Sequence, residues 1–205
     1  RMRFNGSFRT APLVVVTALV LAGPAGAQGS GLVAADGSID LDRFYTAAET
    51  DAILREWARM YPRLARIERI GESFLGAELL VVEVTNEATG PAAGKPALYV
   101  DGGLHAGELT GSAVALHLLS HLLRGYGGDP RVTALLDTRA LYVRPKFNPD
   151  GSDLVLAQDQ PLRSSVRPID DDGDGRLDED PADDLDGDGR ILRMRGPGLD
   201  GEVTE

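Results

Sequence analysis

Along the chain, apolar positions recur at two different spacings. Behind the pair Thr46 and Glu49, which has the form of a capping box, Ile53, Leu54, Trp57 and Met60 follow helical spacing. A helix is therefore expected up to Met60, ended by Pro62. Leu64 to Ile70 and Glu78 to Thr85 read as two strands joined by a turn containing Gly71 and Gly76. Residues 86–95, rich in Gly, Pro and Ala, read as a linker. Pro96 to Val100 forms a short strand of the buried type and runs into Asp101-Gly102-Gly103. A helix is expected from Glu108 to Arg124, and Asp129-Pro130 opens another to about Leu136. Ala140 to Val143 is one more strand, delivering the chain to a turn at Asn148-Pro149-Asp150-Gly151. Strands alternating with helices predict a doubly wound α/β fold, with a largely parallel sheet covered by helices on both faces. Ligands of such sheets bind at the carboxyl ends of strands.

The first 27 residues have a different pattern. Arg1, Arg3 and Arg9 precede an apolar run from Ala11 to Ala22 and a small-residue stretch ending at Ala27. That is the form of a cleaved export signal, too short to span a bilayer. Export to a secreted or periplasmic location is expected, with no membrane span after cleavage. Residues 28–43 would then be a linker. Of 205 residues 32 are acidic and 21 basic, giving a formal charge of −11 with no cysteine. The missing thiols exclude disulfide scaffolds, thiolate zinc sites and cysteine nucleophiles. The acidic balance argues against nucleic acid as a partner.

Candidate chemistry lies at His105-Ala106-Gly107-Glu108, where a glycine-rich turn leaves a strand and enters an apolar helix. An imidazole and a carboxylate three residues apart share a face of a first helical turn, and zinc takes both donor types. Two ligands do not complete a hydrolytic site, which needs about three plus an open position. The alternative for the pair is a surface ion pair. His117 and His121, at i,i+4, lie on the far side of the same helix, about 180° round from Glu108 in the case of His117. With Thr110, Ser120 and Arg124 they read as a solvated polar face.

Tyr61-Pro62, Ile70-Gly71-Glu72-Ser73 with Gly76, Asp101 to Glu108 and Asn148 to Gly151 stand in the order found in zinc carboxypeptidases of the carboxypeptidase A type, which the chain resembles from about Phe44 to Arg167. The resemblance implies the amino-terminal part of that catalytic domain over 44–168, an incomplete half of its mixed, largely parallel α/β sheet. It implies that His105 and Glu108 are two zinc ligands, that Asn148 to Gly151 is a mainly structural loop beside the site, and that Arg163 stabilises the oxyanion. Arg167 fits that place less well. The other reading of Arg163 is a loop arginine neutralising the acidic stretch beside it. The family's third ligand (a later His), its late Glu and the Asn-Arg pair that grips the terminal carboxylate are not recognisable before Glu205, and Glu202 and Glu205 come too early for the base. The 205 residues are thus expected to be a fragment, inactive alone, with residues 196–205 a truncated tail.

Between Asp170 and Asp188 stand eleven acids and one base, Arg176. Asp170, Asp172 and Asp174 with Gly175, then Asp184, Asp186 and Asp188 with Gly189, repeat the start of a calcium loop, with Asp178, Glu179 or Asp180 as a further donor to the first. Residues 169–195 are therefore expected to be a Ca2+-binding insertion, against the alternative of a solvated acidic loop. The favoured function is an exported zinc metallocarboxypeptidase cleaving peptides or proteins at their carboxy termini, and working as a monomer. Its rivals are a secreted calcium-dependent binding module on a non-catalytic scaffold, and a zinc amidohydrolase acting on acylated amino acids or peptidoglycan peptides. No Gly-x-Ser-x-Gly elbow or phosphate-binding Gly-x-x-x-x-Gly-Lys run is present.

Overall fold

The computed structural model describes residues 31–158, 162–170 and 173–177, with the backbone of 196–197 and 203–204. The expected export signal therefore lies outside the described residues. None of the described helices is long and apolar enough to cross a membrane.

Helix α1 (Ala47–Met60) begins at the expected capping box: Glu49 N–H donates to Thr46 Oγ1 (3.2 Å), and Thr46 N–H donates to Glu49 Oε2 (2.9 Å). It buries Ile53, Leu54 and Trp57 and stops at Tyr61, ahead of Pro62. Strands β1 (Ala65–Glu72) and β2 (Glu78–Val84) form an antiparallel hairpin with a bulge between Arg69 and Gly71. Strand β3 (Ala97–Asp101) pairs in parallel with β4 (Ala140–Arg144), and the crossover between them carries α2 (Leu109–Gly125) and α3 (Pro130–Thr138). Asp129 caps α3 by accepting from Arg131 N–H at 2.8 Å, with Pro130 at the first helical position. Helix α4 (Pro149–Gln158) follows β4.

The four strands lie in the order β1-β2-β4-β3. The mixed α/β sheet is as expected, but its balance differs. Among the described residues only β3–β4 is parallel, while β1–β2 and β2–β4 are antiparallel. A hairpin inserted before the crossover produces this, because strands joined by a five-residue turn must run antiparallel. Among the described residues, the main cluster that joins helices to the sheet lies on one face. Leu80, Val82 and Val84 of β2 and Leu141 and Val143 of β4 form one cluster with Ile53 and Trp57 of α1, Leu116, Leu119 and Leu123 of α2, and Leu136 of α3. Three helices therefore pack on a single face. Strand alternation turns Glu83, Tyr142, Tyr99 and Arg144 to the other face, where Tyr99 is half exposed.

Candidate active site

The site is built where β3 ends. Gly102 lies so close to α2 that an added Cβ would sit 2.3 Å from Gly111 O. This contact fixes where the chain leaves the sheet. Residues 105–108 then form a turn closed by Glu108 N–H donating to His105 O at 3.1 Å. Helix α2 begins only at Leu109, so the expected shared helical face is replaced by a turn with the same i,i+3 proximity. It brings His105 Nδ1 within 2.8 Å of Glu108 Oε1. Arg163 joins them, its Nη1 donating to the same Glu108 oxygen at 3.3 Å. The segment carrying Arg163 is held by backbone: Ala106 N–H donates to Arg163 O (3.1 Å) and Gly107 N–H to Leu162 O (2.8 Å).

Asn148-Pro149-Asp150-Gly151 is not a loop. Pro149 opens helix α4, and Asn148, Asp150 and Gly151 each meet a different segment around the site. Asn148 Oδ1 accepts from Gly151 N–H (3.1 Å), and its Nδ2 donates to Ser164 O (3.0 Å), next to Arg163. Asn148 N–H donates to Gly103 O at 3.0 Å. Asp150 accepts from Ser73 Oγ–H (2.7 Å) and Leu75 N–H (2.9 Å), pinning the β1–β2 turn to the helix start. A Cβ at Gly151 would stand 2.7 Å from Ala106 Cβ, so only glycine lets α4 lie on the 105–108 turn. An Asn before Pro is compatible with a capped helix start as well as with a turn.

Lys146, just ahead, is buried and donates to Tyr45 O (2.5 Å) and Ser152 Oγ (3.2 Å). Burial pushes its ammonium below the ordinary lysine range, against the pull of Asp153, Glu49 and Asp51. A cleft of about 570 Å3 opens beside the site, walled by Phe74, Leu104, His105, Arg144, Phe147 and Arg163 among others. Arg144 was not among the residues singled out from sequence. It ends an apolar strand run, and nothing in the pattern distinguishes it from a surface charge.

In donor type, the pair His105–Glu108 fits zinc: an imidazole nitrogen and a carboxylate oxygen lie 2.8 Å apart beyond a strand end. In number it falls short, since no group of three His, Cys, Asp or Glu side chains is gathered for a metal among the described residues. His117 and His121 are exposed on the far side of α2, as expected. Ser120, expected on that solvated face, is instead buried, its hydroxyl donating to Gly37 O at 3.4 Å under the 33–39 segment. Of the expected calcium ligands, Asp172, Asp178, Asp184, Asp186 and Asp188 lie outside the described residues. Asp170 accepts from Gly173 N–H (2.7 Å) and Gly175 N–H (3.0 Å), and Asp174 from Arg176 N–H (2.8 Å).

The family profile described as zinc carboxypeptidase matches residues 50–176, more than half of the chain. The chain belongs to that family. Carboxypeptidase D of Anas platyrhynchos is 31% identical over 109 residues, which make up 53% of this chain and 8% of that protein. Carboxypeptidase Z of Homo sapiens is 31% identical over 115 residues, 56% of this chain and 18% of the relative. The chain thus spans a small part of the curated zinc carboxypeptidases it matches. In fold it is similar to thrombin-activatable fibrinolysis inhibitor (TM-score 0.58, 24% identity, 64% of this chain and 32% of that one). Carboxypeptidase A from Helicoverpa armigera is similar too (TM-score 0.56, 22% identity, 63% and 31%).

Proposed function

We propose that the complete protein is an exported, monomeric zinc-dependent metallocarboxypeptidase that removes carboxy-terminal residues from peptides. The observation that carries this reading is the meeting of His105, Glu108 and Arg163 at the carboxyl end of β3, in a chain of the zinc carboxypeptidase family. His105 and Glu108 would supply two of the ligands. Bound zinc would act as a Lewis acid on the scissile carbonyl and lower the pKa of a water. Arg163, exposed and held by its backbone, would turn its guanidinium from Glu108 to the oxyanion of the tetrahedral intermediate. Asn148 keeps that arginine's segment in place through Ser164 O. The apolar leader supports export, and 44–168 is read as the part of the catalytic domain carried here. Calcium binding by 169–195 is a separate proposal, tested by calorimetric titration of Ca2+ into the complete protein.

The test is zinc content by mass spectrometry, together with release of the last residue from acylated peptides. The complete protein is expected to hold one zinc through dialysis and to lose turnover with a chelator. The double variant His105→Ala, Glu108→Gln is expected to lose both metal and turnover. Unchanged zinc and turnover in that variant would overturn the assignment. Cleavage confined to side-chain or acyl amides would point to an amidohydrolase instead.

A further inference from the structure

The cleft beside His105 holds a second guanidinium. Arg144, the last residue of β4, is 7% exposed, yet among the described residues no carboxylate lies within ion-pair distance of it. Its neighbour in register, Asp101, is exposed and makes no bridge to it. The side chain is held in place by two contacts: the guanidinium carbon lies 4.0 Å over the Phe147 ring, and Nη2 donates to Phe147 O at 2.8 Å. Nε is buried without any acceptor. A charge removed from water without a partner is costly, and the cost falls when an anion reaches it.

The rest of the cleft supplies no such anion. Asp150, the one carboxylate lining it, has both oxygens engaged by Ser73 and Leu75 N–H. Arg163 is already paired with Glu108, so Arg144 is the cleft's one guanidinium without a carboxylate among the described residues. Planar, pre-oriented guanidinium groups with free N–H donors suit carboxylates. The cleft also carries Phe74, Leu79 and Leu104, apolar surface on which the stem of a substrate side chain could lie.

We propose that Arg144 is a specificity-determining residue that holds an acidic side chain of the peptide substrate, and so directs the cleft toward peptides with Glu or Asp near the cleaved bond. This rests on the peptidase reading above for its substrate, but on Arg144 alone for its selectivity. The test uses the complete zinc-loaded protein and acylated tetrapeptides carrying Glu or Gln at each position in turn. At one position, Glu is expected to exceed Gln by about tenfold in kcat/KM, through KM and less so at high salt. Arg144→Met is expected to reduce that ratio to about twofold or less, and Arg144→Lys to an intermediate value, because ammonium keeps the charge but loses the fork. Should Arg144→Met not fold, the wild-type ratio, its salt dependence and Arg144→Lys decide the matter.

Fluorescence anisotropy of the same labelled peptides on chelator-treated protein separates this from the catalytic reading. Glu-selective binding that Arg144→Met abolishes, together with no turnover by the zinc-loaded protein, would sink the peptidase and leave the Arg144 site standing. Equal Glu and Gln ratios at every position, a ratio unchanged in Arg144→Lys or Arg144→Met, or a crystal structure of the complete protein with one of its own carboxylates on Arg144 would each overturn the proposal.

Discussion

Glu108 occupies the N-cap of α2, a position where a side-chain oxygen normally accepts from the helix's free N–H groups. It makes no capping bond, and its carboxylate goes to His105 and Arg163 instead. That diversion gives up the usual stabilisation of a helix start, as the proposed ligand role of Glu108 would require. Asp51 shows another unfavourable placement. Half-buried on α1, its carboxyl is pushed from 3.8 up to about 6, chiefly by burial, with Glu78 and Asp153 adding and Arg55 and Lys146 opposing. The unfolded chain releases this proton near 3.8, whereas the folded chain keeps it to about 6. Stability therefore falls as pH climbs between those values, and the penalty is fully present above about 6. Asp51→Asn is expected to raise the urea midpoint at about pH 8, with the gain fading below about pH 4. A lower midpoint at about pH 8 would contradict this. Neither Asp51 nor Arg144 stood out in the sequence, because burial depends on which strands and helices meet around a residue. The pair His105–Glu108 did stand out, because its three-residue spacing forces proximity in a turn as well as in a helix.

Elements were legible where local chemistry decides them. The Thr46–Glu49 box, Pro62 and Asp129-Pro130 set the ends of α1 and α3 without help from tertiary contacts. Helix α4 was missed because Asn-Pro-Asp-Gly serves equally as a turn. What selects the helix is its fit to other segments, with Asp150 reaching the β1–β2 turn and Gly151 lying on Ala106. Asn148→Ala removes both the cap and the bond to Ser164 O. A loss of about 1 kcal/mol is expected from urea unfolding, with faster proteolysis within 162–170. The sharper test is Gly102→Ala. Its Cβ would meet Gly111 O at 2.3 Å, Gly111 C at 2.6 Å and Ser112 N at 2.9 Å, all backbone atoms that no rotamer change can clear. Helix α2 must shift away from β3, at a cost of about 3 kcal/mol or more. The His105–Glu108 turn moves with it, so zinc binding by the complete protein is expected to weaken as well. A variant as stable as wild type would show that the close approach is not required.

For the 205 residues as a whole, two surface forces compete. Strand β3 is paired only with β4 among the described residues, so its other edge offers unmatched N–H and C=O groups. Leu98 and Tyr99 on that strand are 59% and 50% exposed, and a flat apolar edge is a template for pairing with another chain. Opposing this is the formal charge of −11, which makes copies repel. Repulsion between exposed charges is screened within about 10 Å at 0.1 M salt and about 3 Å at 1 M, whereas backbone pairing and apolar burial are not. Salt should therefore decide the balance. Expressed without further sequence, the chain is expected to stay monomeric at low ionic strength and to associate as salt rises, as read by size exclusion with light scattering. Tyr99→Lys adds a charge beside the edge on the face opposite the main cluster, where it need not disturb packing. By removing exposed apolar surface from the edge it is expected to weaken the association seen at high salt. Association that weakens with salt, or that Tyr99→Lys leaves unchanged, would place the contact elsewhere: the first would indicate charge pairing and the second a surface other than the β3 edge.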